Sequence, residues 1–225
     1  MQPISSPQYQ DPIERWAPLA FRLSVYAILA YFFYQAATTF IEYHPLQHWP
    51  FFLSVFRMFT FLPIHEAGHF LFRFFGRTLY ILGGSFWQVM FPVIWFGIAL
   101  KQRSQVAPFA AFWIGENLMD VSLYMRDAQF MALPLLGGDS SGHDWKNLFT
   151  QWDMLEDAGT IADITYYLGI IICLGSIIAG IVWAFYRFFT PSSILRPAAP
   201  ASTVSRSVED QLDERISEAE DGKPL

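Results

Sequence analysis

The run His65-Glu66-Ala67-Gly68-His69 places two imidazoles and a carboxylate within little more than one helical turn. Residues four apart on a helix are separated by about 40° around its axis, so His65 and His69 project from one face and can hold the same cation. Glu66 stands about 100° from His65, beside such a cation without ligating it, where its carboxylate can take a proton from water. The expected cofactor is Zn2+, which brings the pKa of a bound water down to about 7 and so supplies hydroxide at neutral pH. Glu66 is therefore the candidate catalytic residue, and His65 and His69 are the first candidate ligands.

A catalytic zinc usually has three protein ligands and one open position, so a third must come from elsewhere in the chain. The stretch from about Val106 to Met125 is apolar in its first half and then holds Glu116, Asn117 and Asp120. With Tyr124 and Asp127 these residues define one polar stripe on an otherwise apolar helix, a stripe that should face the interior of a bundle. Asp120 is expected as the third ligand, being a hard carboxylate placed deeper in the segment than Asp127. Glu116 and His143 are alternative ligands, and Asn117, Tyr124 and Asp127 are expected to stand behind the ligands as hydrogen-bond partners; Asp120 could also take that supporting role. His143 and Asp144 follow a Gly/Ser-rich run that could fold over the site as a lid or donate a ligand. His44 and His48 are also four apart, but Pro45 disrupts a helix between them and they read as interfacial residues.

The elements that must position these groups are greasy. The chain has 225 residues, 53% hydrophobic and 18% aromatic, against about 45–50% apolar in an ordinary soluble domain. Between Arg15 and Lys101 the formal charges are Arg22, Glu42, Arg57, Glu66, Arg73 and Arg77 alone. About 20 apolar residues cross a bilayer as a helix, and five segments approach that length: Trp16 to Ile41, Phe51 to Phe75, Leu79 to Leu100, Val106 to Met125 and Ile161 to Phe189. The expected fold is all-α, a polytopic membrane helix bundle of about five transmembrane segments. It is expected to comprise a polar segment over 1–15, the bundle over 16–189 with a loop and amphipathic region over 126–160, and a disordered acidic tail over 190–225. The polar, proline-rich N-terminus does not read as a secretory signal, so the first apolar run should remain as a span.

The formal net charge of -6 comes largely from the tail and from the Asp127 to Asp163 region, and gives no support to nucleic-acid binding. The single cysteine, Cys173, lies in an apolar run and reads as a packing residue, as do the small residues Gly175, Ser176, Ala179 and Gly180 spaced four apart. Lys and Arg are nearly balanced between the two sides of a five-span arrangement, so orientation is not readable.

From His65 to Pro92 the sequence resembles the site-2 protease family of intramembrane zinc metallopeptidases. The resemblance lies in HEAGH within an apolar helix, followed by the Gly-containing stretch LGGSFWQVMFP and another span. It implies a bundle of membrane helices, zinc held by His65, His69 and Asp120, Glu66 as general base, and a membrane-associated protein as substrate. The later family motif has Asn, Pro and then Leu-Asp-Gly, whereas here Asn117-Leu118-Met119-Asp120 runs into Val121. The pairing of HEAGH with a later GG and HDW is also similar to small bacterial membrane proteins, so the expected location is a bacterial cytoplasmic (inner) membrane, with membrane lipid and protein substrates or partner subunits as its contacts. Two other readings remain open: a non-catalytic subunit of a membrane complex with a structural or vestigial metal site, and a transporter using the Glu116 to Asp127 stripe, which leaves the histidine spacing unexplained.

Overall fold

The computed structural model describes residues 12–41, 57–133, 135 and 142–190, and among these every regular element is helical. Six α-helices follow in order: α1 (Pro12–Ile41), α2 (Leu62–Phe72), α3 (Arg77–Lys101), α4 (Ala107–Asp127), α5 (Asp144–Gln151) and α6 (Ala158–Phe189). The segment before residue 12, the connection carrying His44 and His48, the start of the second hydrophobic segment, most of the Gly/Ser-rich loop and the acidic tail lie outside the described residues. The chain divides into two compact units, Met1–Ala184 and Phe185–Leu225. In the second, Phe185 stacks on Phe189 and Phe188 meets Phe189 edge-on; everything that follows concerns the first.

Among the described residues three helices are long and apolar enough to cross a membrane: Trp16–Thr38 within α1, Arg77–Lys101 and Ala158–Phe189, of 23, 25 and 32 residues. The chain is on that ground a membrane protein, and its outward faces agree. Phe21 and Ile28 on α1, Ile94 and Ile98 on α3, and Ile171 and Ile178 on α6 are all exposed, in numbers that a water-soluble surface rarely carries. Among the described residues the other two expected segments do not meet the same test. α4 has 21 residues but carries its polar stripe, and α2 has only 11, preceded by a π-helical turn from Arg57 to Phe61.

Two apolar clusters hold the helices together. The first joins Tyr26, Leu29 and Ala36 of α1 with Phe112 and Met119 of α4 and Tyr166, Cys173 and Ile177 of α6. The Tyr166 hydroxyl donates to the Ala37 carbonyl at 2.9 Å, so this buried phenol is satisfied. The second joins Ile81 of α3, Val121 and Met125 of α4, Trp145, Leu148 and Phe149 of α5, and Ala158 and Ala162 of α6.

The path from α2 to α3 determines where the histidines sit. A 3-10 turn, Arg73–Phe75, ends α2, and Gly76 follows at φ 93°, a conformation that a Cβ disfavours. α3 then packs closely along α2, bringing the face that carries His65 and His69 against Gly83 and Gly84.

Candidate metal centre

Pro63 lies in the first turn of α2, where its missing N–H costs nothing; two residues on, His65 is buried, and one turn beyond it His69 is half-buried on the same face. Their rings meet edge to face with centroids 4.8 Å apart. Each ring is held from behind at Nδ1. His69 Nδ1 donates to the Tyr80 carbonyl of α3 at 2.8 Å, an oxygen that can only accept, so the neutral ring keeps its Nε2 bare. His65 Nδ1 lies 3.0 Å from Oε1 of the buried Gln88, also on α3.

Facing both Nε2 atoms is Asp144, whose Oδ2 lies 3.0 Å from His65 Nε2 and 3.2 Å from His69 Nε2. The potential ligand atoms of the three residues lie within 4.8 Å of one another, and among the described residues this is the group of His, Cys, Asp and Glu side chains able to hold a metal ion. Asp144 opens α5, where the partial positive charge of a helix N-terminus favours a carboxylate. Burial alone would raise its pKa, yet the contacts with the two imidazoles outweigh that and hold it below the ordinary carboxylate range.

Asp144 is placed by three neighbours. Its backbone N–H donates to the Tyr124 hydroxyl at 3.0 Å. The next residue, Trp145, is buried in the second apolar cluster and donates from Nε1 to the Ser85 hydroxyl at 3.0 Å, pinning α5 to α3. On the other side His143 caps α5, its Nδ1 accepting from the Lys146 N–H at 3.2 Å while its Nε2 contacts Asp127 Oδ2 at 3.2 Å. Asp127 also accepts from the Ala132 and Leu133 N–H groups, which ties down the start of the loop that leads to Asp144.

The third acidic or imidazole member is thus Asp144, where the sequence pointed first to Asp120. Asp120 Oδ1 pairs with the Arg57 guanidinium at 2.8 Å and its Oδ2 accepts from Gln88 Nε2 at 2.8 Å, so it reaches the centre only through Gln88 and His65. Neither alternative joins the cluster. His143 has both ring nitrogens committed, to Lys146 N–H and to Asp127, leaving no lone pair for a metal. Glu116 is buried on α4 with its Oε1 lacking a hydrogen-bond partner, as does Asn117 Oδ1, whose amide nitrogen bonds back to the Trp113 carbonyl. Of the three expected supporting residues, Tyr124 touches the site directly, its ring packing on His65 and on His143. Asp127 acts through His143. Glu66 is exposed and makes no hydrogen bond or ion pair among the described residues.

No family model, curated protein or solved structure matches this chain. What the centre can hold is therefore argued from its own atoms. Two imidazole lone pairs and a carboxylate oxygen, all acceptors, converge at hydrogen-bonding distance. Such an arrangement needs positive charge among its members. A proton on one ring can supply it, and a divalent cation suits two nitrogens and one oxygen better. Gly84 adds an independent fit: a Cβ there would come within 2.5 Å of His65 Nε2 and 2.6 Å of His69 Nε2. The residue over the two ligand atoms is the one type that leaves room for an ion.

Proposed function

We propose that the chain is a membrane-embedded zinc hydrolase that cleaves peptide bonds in membrane-associated proteins, with His65, His69 and Asp144 as metal ligands and Glu66 as general base. The observation that carries this reading is the three-membered ligand group: two nitrogens and one oxygen leave one of zinc's four tetrahedral positions for water or substrate, as in catalytic rather than structural sites. Zinc held there would polarise a peptide carbonyl and lower the pKa of water to about 7. The exposed Glu66 carboxylate, one residue from His65 on the same turn, takes the proton of the attacking water and returns it to the departing amine nitrogen, so the bond broken is C–N and the bond formed is C–O.

The setting suits a hydrolase working at a membrane. α2 and α4 contribute the polar side chains and we read both as embedded beside the three long apolar helices, which gives the five-span arrangement that the sequence implies. Arg57 and Asp120 then neutralise each other inside the bundle. A lone charge at membrane depth costs about 2.5–3.5 kcal/mol on insertion scales, and pairing offsets much of it.

The test uses full-length protein reconstituted with single-span protein substrates and mass spectrometry of new chain termini. One zinc per chain and cleavage are expected in the wild type. Glu66→Gln is expected to keep the metal while cleavage falls by about 10²–10⁴-fold. Zinc that binds with no cleavage in either protein would point instead to a structural metal in a membrane-complex subunit.

A further inference from the structure

The side of His65 away from Asp144 carries two hydrogen bonds in series, anchored by an ion pair from another element. Arg57, in the π-helical turn before α2, pairs with Asp120 Oδ1 on α4; Asp120 Oδ2 accepts from Gln88 Nε2 on α3; Gln88 Oε1 faces His65 Nδ1 on α2. Gln88 is buried, as are Asp120 and His65. Each link has a direction. A guanidinium only donates and an ionised carboxylate only accepts, so Asp120 must take a proton donor from Gln88. That turns the Gln88 amide so that its NH2 points at Asp120 and its carbonyl oxygen at His65. The carbonyl accepts only, so His65 must present a protonated Nδ1, and in the neutral ring Nε2 is then the lone pair.

We propose that Arg57, Asp120 and Gln88 are positioning residues that set the tautomer of His65 and so hold its Nε2 ready for the metal. The inference rests on the metal-centre reading above but acts on a property of the metal-free protein as well. It gives the Asp120 carboxylate a task two hydrogen bonds removed from the ion, and accounts for a charge pair of buried Asp120 with half-buried Arg57 inside a largely apolar bundle. His69 needs no such chain, because the Tyr80 backbone carbonyl performs the same task without a choice of direction.

The direction of the chain is what an isosteric change can reverse. In Asp120→Asn the introduced amide presents its oxygen to Arg57 and its NH2 to Gln88. The Gln88 amide then turns over, offering its own NH2 to His65 Nδ1, and the proton of His65 moves to Nε2, where it blocks ligation. Adding Gln88→Glu to that variant restores an acceptor toward both neighbours and returns His65 to its original tautomer. A role in packing alone predicts no such reversal and rescue.

The experiment is histidine-selective 15N and 13C NMR on the full-length protein in detergent micelles, with His65 assigned by the loss of its signals in His65→Gln, alongside zinc titration of each variant. The expected result is Nδ1–H on His65 in the wild type, Nε2–H in Asp120→Asn with zinc affinity reduced about 10–100-fold, and return of both in Asp120→Asn/Gln88→Glu. His69 should stay Nδ1–H throughout and reports that the fold is intact. An unchanged His65 tautomer in Asp120→Asn, or no restoration in the folded double variant, overturns the proposal. Should Asp120→Asn not fold, Gln88→Met decides: unchanged zinc affinity overturns the positioning role, and a fall of the same size with His69 unaltered supports it. A wild type that binds no zinc sinks the hydrolase reading and leaves the tautomer measurement to judge this one.

Discussion

Gly84 and His143 show how single residues make the centre possible without joining it. A methyl group on Gly84 would press on both Nε2 atoms, and such overpacking costs about 1–3 kcal/mol. Gly84→Ala should therefore lower zinc affinity by about 10–100-fold with helical content unchanged, measured by competition with a chromogenic chelator and by circular dichroism. His143→Ala should act on stability, because it strands the wholly buried Asp127 carboxylate without its imidazole partner. The expected loss is about 1–3 kcal/mol by denaturant unfolding in detergent. The two histidines of the motif were legible from spacing alone, since one helical turn dictates their common face. Asp144 was legible only as half of a His-Asp pair that could reach the site, with His143 the candidate ligand of the two: it lies 75 residues after His69 in sequence, at the edge of a Gly/Ser loop, and the docking of α5 through Trp145 brings it home. Asp120 was legible as a carboxylate that needs a partner in an apolar helix, but spacing could not distinguish a metal from Arg57 and Gln88.

Among the elements, α6 separates small residues that pack from small residues that do not. The sequence offers two pairs four apart, Gly175 with Ala179 and Ser176 with Gly180, and its spacing marks both as packing positions. The fold uses the second: Ser176 and Gly180 are buried, with Tyr26 of α1 lying over Gly180, whereas Gly175 and Ala179 face outward and Gly175 has open space above it. Gly180→Leu should destabilise the contact of α1 with α6 by about 1–3 kcal/mol or more, while Gly175→Leu should stay within about 0.5 kcal/mol, read from unfolding in mixed detergent. A one-dimensional pattern cannot choose between the pairs, because both satisfy the same spacing. The long helices α1, α3 and α6 were legible for the opposite reason, since a run of more than 20 apolar residues has few other uses. In α4 the stripe reads correctly as inward, with Glu116, Asn117, Asp120 and Asp127 all buried, though Asp120 meets Arg57 and Gln88, Asp127 meets His143, and Asn117 bonds back to its own helix.

For the molecule as a whole, the centre is a tie between α2 and α5, elements far apart in the chain, with Gln88 and Tyr80 of α3 and Tyr124 of α4 closing around it. An ion that binds only this folded arrangement stabilises it by mass action, by about 2.7 kcal/mol at a hundredfold excess over its dissociation constant. Zinc should accordingly raise the thermal midpoint of the detergent-solubilised protein, a chelator should reverse the rise, and Asp144→Asn should lose most of it. The central claim, that these three side chains share one cation and leave a position open, is tested most directly by X-ray absorption at the zinc edge on the full-length protein and on Asp144→Asn. The account predicts one zinc per chain with two imidazole nitrogens at about 2.0–2.1 Å and oxygens at about 2.0–2.2 Å from one carboxylate and solvent, and a weakened or altered oxygen shell in the variant. A wild type that binds no zinc, or a variant whose ligand shell and affinity match the wild type, would contradict it.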